Sequence, residues 1–395
     1  MSMDVTFLGT GSAYPSPHRG ASALVLRTEG DCWLFDCGEG TQTQLMKSQL
    51  KASRITKVFI SHLHGDHLFG LPGLLCTISL NWSSAPSQTP TPPPAPPPAQ
   101  PRPQAQVDIY GPSGLRYFLR VALGLSGSQL LFPYAVHELE PTPDQCPPDA
   151  FLYPLAALPC DEHLHPQELP GRTLTLDSAD DCYTLLEDEH FVVKAFRLFH
   201  RLPSFGFAVQ ERERPGRLNT QLLKELGVKP GPVYGRLKGG ESVTLDDGRV
   251  VTPGQVLERP IPGRKVCVLG DCSALVGHAG VLHVCQGADL LVHEATLSDE
   301  HQERAVEHGH STPSMAAEVA RACQVRTLVL HHFSQRYRPV GLRAEEDAGR
   351  EADGSRDNGD VMELKRQAEG ALQGTGVQVV LAEDFLSLSI PMKRP

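Results

Sequence analysis

The sequence predicts an α/β layered fold, on three observations. Short apolar, β-branched runs recur along the whole chain, helical stretches alternate with them, and the first three runs are spaced as hairpins. A chain of 395 residues can hold one large domain or two ordinary ones and bury a sizeable core.

Three strand-like runs open the chain: DVTFLGTG at 4–11, ASALVLRT at 21–28 and CWLFDCGEG at 32–40. The stretch GTQTQLMKSQL at 40–50 reads as helical, and ITKVFISH at 55–62 reads as a strand running into a histidine cluster. Later strands are expected at 190–200, 264–271, 289–296, 326–333 and 377–384. A helix is expected at 313–323, with Thr312 as N-cap and Pro313 in its first position. The glycines of GTG (Gly9, Gly11) and GEG (Gly38, Gly40) do not complete a G-x-G-x-x-G opening a helix, which excludes a dinucleotide fold.

The formal net charge of −10 is the wrong sign for a polyanion binder, so any nucleic acid would need a local basic surface. Ten cysteines form no Cys-x-x-Cys pair, and several lie inside apolar runs, as reduced core thiols do. The longest apolar stretch, 68–80, is short of the ~18 residues of a membrane span and carries Gly and Pro. With a strand beginning by Asp4, no signal or transit segment is expected, and the expected location is the cytosol, with the nucleus.

Two segments read as insertions. Residues 83–106 hold ten prolines and predict a solvated polyproline-type loop, whose PxxP spacing beside Arg102 suits an SH3 or WW domain. Residues 343–360 carry seven acids, three arginines and three glycines and predict a disordered acidic loop.

The strongest chemical signal is SHLHGDH at 61–67. His62 and His64 stand two apart at a strand end, on one side; Gly65 permits a turn, after which Asp66 and His67 open the next element. Nitrogen and oxygen donors without thiol suit one or two ions such as Zn²⁺. Three more donors each close an apolar run: His200, Asp271 and His332. The carboxyl ends of strands are where α/β sheets place their sites. His331 and His332 are adjacent, so only one can reach a shared point, and His332, directly before FSQRY, is the choice.

HxHxDH followed by separate His, Asp and His resembles the metallo-β-lactamase superfamily. FLGTGSAYPSPHRG, DCGEGTQ, FRLFHRLPSFGF, LGDCS, HEAT at 293–296, HGHST at 308–312 and HFSQRY at 332–337 narrow the resemblance to ribonuclease Z, in its short form. That resemblance implies one domain over 1–395, a four-layer αββα sandwich, and two zinc ions per subunit. His62, His64 and His200 would hold the first, Asp66, His67 and His332 the second, with Asp271 bridging. It implies an endoribonuclease cutting the 3′ trailer from precursor tRNA, leaving a tRNA 3′-hydroxyl and a 5′-phosphorylated trailer, with Asp66 as base. His293, after the strand LLV, is the expected donor to the leaving oxygen or contact to the scissile phosphate. His310, Ser311 and Thr312, ahead of a helix, are an expected anion site.

From Glu211 to Lys238 seven basic residues face three glutamates, among them Arg217, Lys224, Lys229, Arg236 and Lys238. This excursion between two ligand strands, taken as 211–240, reads as a basic arm with little to bury, able to engage phosphates without reading bases. It resembles the flexible tRNA-gripping arm of ribonuclease Z, which implies a homodimer. Another hydrolase of the superfamily would share the ligands but have no use for the arm. A scaffold that had lost catalysis would have no use for the ligands.

Overall fold

The structure, a computed structural model, describes residues 2–83, 105–150, 164–245, 247–341 and 359–393. The proline-rich and acidic insertions fall almost wholly outside the described residues.

Two mixed sheets form the centre. In the first, the strands run in the order Ser387–Ser389, Asp4–Gly9, Ala23–Arg27, Cys32–Phe35, Ile55–Phe59, Val107–Pro112, Tyr134–Leu139 and Glu168–Leu169. In the second the order is Ala274–Leu275, Phe191–Phe199, Ser204–Glu211, Lys265–Leu269, Leu290–Glu294, Thr327–His331 and Gln378–Leu381. Each sheet is antiparallel where hairpins join neighbours and parallel where helices cross over, as Lys265–Leu269 to Leu290–Glu294 to Thr327–His331.

Side-chain alternation explains the layers. Along Ala23–Arg27, Leu24 and Leu26 enter the core between the sheets, while Ala23 and Val25 face the helices outside. Along Lys265–Leu269, Val266 and Val268 point inward, and Cys267 and Leu269 outward. Both faces of both sheets are therefore covered, which is why these strands read as nearly continuous apolar runs. The helices Leu71–Ser83 and Leu115–Leu125 cover the first sheet through Leu71, Leu74, Leu75, Ile78, Leu115 and Leu119. The helices His278–Cys285, Pro313–Ala322 and Val361–Ala371 cover the second. The result is the expected αββα sandwich. Among the described residues, no helix is long and apolar enough to cross a membrane; the apolar stretch at 68–80 belongs to an outer helix.

Every expected strand is present, trimmed by two to five residues, and the helix at 313–323 is Pro313–Ala322. Thr312 does not cap it through its side chain, however. It is fully buried and its Oγ1 makes no hydrogen bond, so burial has displaced the capping geometry.

The basic excursion also differs from expectation. It has a small core of its own, built from Leu223, Val228, Leu237, Val243, Val251 and Val256. Helices Thr220–Glu225, Pro232–Lys238 and Pro253–Val256 and the hairpin Val243–Thr244/Val250–Val251 enclose it. A two-stranded stalk leads to it, bridged at Arg214–Ile261 and Leu218–Leu257. The strands of the stalk approach so closely that a Cβ on Gly216 would lie 2.1 Å from the Glu258 carbonyl oxygen. The folded unit thus runs from 212 to about 263, beyond the 240 expected, because its second half supplies half of its core.

Candidate metal centre

Seven predicted donors converge at the carboxyl ends of strands from both sheets. His62 Nε2 and His200 Nε2 lie 3.0 Å and 3.1 Å from His64 Nδ1. His67 Nε2 lies 3.2 Å from His332 Nε2, and Asp66 Oδ2 lies 3.6 Å and 3.4 Å from those two nitrogens. Asp271 stands between the groups, 3.8 Å from His62 Nε2, 3.4 Å from His67 Nε2 and 3.4 Å from His332 Nε2. His332 reaches this point because it holds φ +58°, a left-handed turn off the end of its strand; His331 stays buried near Phe7.

The outer nitrogens of these rings are held by partners that fix which nitrogen is free. His67 Nδ1 donates to Asp36 Oδ2 at 2.7 Å, and His200 Nδ1 to the Gly309 carbonyl at 2.6 Å. His62 Nδ1 meets Ser61 Oγ at 3.0 Å, which in turn donates to Asp36 Oδ2 at 2.8 Å. His332 Nδ1 donates to Thr296 Oγ1 at 3.0 Å, whose proton goes to Glu294 Oε2 at 2.5 Å. Such partners set the tautomer and orientation of metal-binding imidazoles.

The donor set fits two borderline divalent ions. Burial above all pushes His64 and His200 down to about 4, leaving neutral rings with free lone pairs at pH 7. Neutral lone pairs about 3 Å apart repel, and that spacing is near the ~3.3 Å edge of a zinc–nitrogen tetrahedron. Burial favours protonation of Asp66 and Asp271, yet the facing imidazoles outweigh it and hold both carboxyls well below the ordinary range. Asp271 Oδ1 is buried without a hydrogen-bond partner, an anionic oxygen that calls for a cation.

Comparison with known proteins agrees. Residues 203–333 match the family described as Beta-lactamase superfamily domain, and residues 3–87 the family described as Anti-Pycsar protein Apyc1. Zinc phosphodiesterase ELAC protein 1 of Bos taurus is 58% identical over 394 residues, covering 100% of both chains. Ribonuclease Z of Microcystis aeruginosa is 34% identical over 394 residues, covering 99% of this chain and 98% of that one. The chain belongs to the ribonuclease Z family. The crystal structure of human tRNase Z, short form, superposes with TM-score 0.63 and 46% identity over 99% of this chain and 100% of that one. The yeast long form shares the fold, at TM-score 0.53 and 19% identity, but only 42% of it is covered.

Against this ribonuclease Z framework, the assignments at the HEAT and HGHST segments change. His293 does not face the metals. Leu290 and Val292 of its strand point between the sheets, so His293 points to the outer side, where Nε2 lies 4.0 Å from Cys272 Sγ. Glu294, one residue on, has the opposite parity and meets His310 Nδ1 at 3.2 Å. His310 is not part of a helix-end anion site; its Nδ1 sits 3.6 Å from Asp271 Oδ2 and it lines the metal cleft. Burial lowers the basicity of His310, but the buried Glu294 carboxylate more than offsets this and raises it to about 9. Ser311 and Thr312 are buried, and Ser311 Oγ is spent on the Cys272 carbonyl, so neither side chain is open to a phosphate.

Sequence reading missed Asp36, Glu294 and Thr296 as supports and Arg201 as a cationic lining residue beside His64 and His310. Asp36 could have been found, since it follows the strand Cys32–Phe35 as the other ligands follow theirs. It also holds φ +56°, which asparagine tolerates, so Asp36→Asn changes charge with little backbone cost. This variant should keep its fold and bind zinc about 10–100-fold more weakly, as read by chelator competition.

The arm residues Arg217, Lys224, Lys229, Arg236 and Lys238 are all solvent-exposed. Arg236 is paired with Glu241 at 2.8 Å, whereas Lys224, Lys229 and Lys238 face water. None of the five belongs to the metal cleft.

Proposed function

We propose that this protein is a zinc-dependent endoribonuclease that removes the 3′ trailer from precursor tRNA, leaving a tRNA 3′-hydroxyl and a 5′-phosphorylated trailer. The observation that carries the reading is a complete seven-donor centre together with a separately folded basic arm, in a chain alignable end to end with ribonuclease Z.

His62, His64 and His200 would hold one zinc, Asp66, His67 and His332 the second, and Asp271 both, giving two per subunit. A bound zinc pair supplies Lewis acidity, lowering the pKa of water to about 7 and neutralising charge on the phosphate. Asp66 is ionised and aimed by the Ala13 N–H, 2.7 Å from its Oδ2, and takes up the proton of the attacking water. His310, kept protonated by Glu294, replaces His293 as the donor to the leaving 3′ oxygen. Metal charge nearby would bring His310 back toward neutrality, which suits a general acid.

The arm carries nine basic and six acidic residues between 212 and 263, and its exposed lysines engage the tRNA backbone. The active form is a homodimer in which one subunit's arm serves its partner's centre. The location is the cytosol, with the nucleus, and the proline-rich segment at Arg102 is a docking site for an SH3 or WW domain.

The test is metal analysis of the purified protein with cleavage-site mapping on one precursor tRNA. Two zinc per chain and a single cut at the trailer junction are expected. A zinc-loaded protein that hydrolyses a thioester and leaves precursor tRNA intact would overturn the reading.

A further inference from the structure

A second cavity, of about 420 Å³, opens on the outer face of the second sheet beside the helix Pro313–Ala322, and shares no lining residue with the metal cleft. Its lining includes Cys272 and His293, each only 1% exposed, together with the half-buried Met315. Cys272 Sγ and His293 Nε2 lie 4.0 Å apart. His293 Nδ1 donates to the Glu294 carbonyl at 2.8 Å, which leaves the lone pair of the neutral ring on Nε2. Among the described residues that lone pair meets only the thiol, at a distance too long for a strong hydrogen bond.

A thiol, an imidazole lone pair and a thioether around one cavity make a donor set unlike that of the zinc centre, which has no sulfur. A thiol buried in this way keeps its proton. An ion of single charge that takes the proton's place leaves the charge of the cavity unchanged, whereas a dication adds an unpaired charge to a buried space. Spacing points the same way. Bonds of ~2.3 Å to sulfur and ~2.0 Å to nitrogen set the two donors ~3.5 Å apart at a tetrahedral angle and ~4.3 Å apart in a line. The observed 4.0 Å lies on the wide side, which suits a soft ion of low coordination number and not tetrahedral zinc.

We infer that Cys272 and His293, with the Met315 thioether beside them, form a binding site for a soft monovalent cation of the cuprous class. On binding, the Cys272 S–H bond breaks, a sulfur–metal bond forms and the proton leaves through the cavity to water; no electron is transferred. The site sits behind the catalytic centre. Cys272 directly follows Asp271, and its N–H donates to Glu294 Oε1 at 2.7 Å. Glu294 in turn holds Thr296, the support of His332. An ion on Cys272 therefore pulls on a support of the zinc ligands without touching them. Neither the arm nor RNA enters this argument, so the site stands apart from the endoribonuclease reading.

The test is titration of the zinc-loaded, tag-free full chain with Cu⁺ under anaerobic conditions, in competition with bicinchoninate. Other cysteines of the chain can also take the ion, so the readout is a difference. The native chain should hold one equivalent more than Cys272→Ser or His293→Asn, and an excess of zinc should leave that equivalent in place. Unchanged zinc content and circular dichroism would certify each variant as folded. Equal copper uptake by the native chain and both variants, or displacement by zinc, would overturn the inference. X-ray absorption of the native chain loaded with one equivalent decides without any variant: a first shell of imidazole nitrogen with sulfur supports the site, and an all-sulfur shell overturns it. Loading should also slow hydrolysis of bis(p-nitrophenyl) phosphate by about tenfold in the native chain, as loss of a support to a metal ligand does. The same slowing in both variants would count against the site.

Discussion

Asp271→Ala is expected to lower bound zinc from two per chain to one or fewer and precursor-tRNA cleavage by roughly three orders of magnitude or more. Its carboxylate lies within 4 Å of nitrogens from both triads, His62 on one side and His67 and His332 on the other. Removing it leaves each group short of a ligand and removes the negative charge that offsets two neighbouring dications. The fold should survive, because Asp271 closes a strand at the cleft and its Oδ1 bonds to nothing that supports the sheets. Zinc content by atomic emission and circular dichroism of the metal-free protein would separate the two effects. A variant that retained two ions and more than a tenth of native activity would exclude the bridging role.

Excision of the arm is expected to separate substrates. Residues 212–263 can be replaced by an Asn-Gly turn, because Glu211 and Arg264 already face each other: the Glu211 N–H donates to the Arg264 carbonyl at 2.8 Å. Their buried ion pair, Arg264 Nε to Glu211 Oε2 at 2.8 Å, stays intact below the new turn. Cutting only 212–238 would instead strand Val243, Val251 and Val256 without the Leu223 and Leu237 they pack on. The full excision should reduce cleavage of precursor tRNA by about a hundredfold or more at physiological salt. Hydrolysis of bis(p-nitrophenyl) phosphate should stay within about twofold, since no described arm residue lines the metal cleft. Equal loss on both substrates would defeat the assignment of the arm to tRNA binding.

The ligand set was legible because each donor directly follows an apolar strand, and strand ends are where such sheets gather their chemistry. What failed was parity. His293 and Glu294 are neighbours on one strand, and choosing the histidine for its chemistry ignored that Leu290 and Val292 already fix which residue turns inward. Parity alone would also have favoured His331 over His332. The sequence does not show the left-handed turn at +58° that brings His332 round to the ions. The arm was underestimated for a different reason. Its core residues arrive one at a time from elements as short as two residues, so no periodic pattern announces them. Loop 308–312 looked like a helix-end anion site because only the fold reveals that Ser311 and Thr312 are enclosed while His310 is left facing the cleft.

The seven donors are divided between the two halves of the sandwich, four from the loop and short helix after Phe59 and three from the ends of separate strands of the opposite sheet. The ions would act as rivets through both leaves, adding to the apolar packing and to the backbone hydrogen bonds, such as the Phe205 N–H to the Ser61 carbonyl at 3.0 Å, that already join them. Mass action then ties the endurance of the folded chain to the metal around it, by about 1.4 kcal/mol for each tenfold rise in free ion above the dissociation constant. Scarcity of zinc would cost such a cell the polypeptide as well as its turnover.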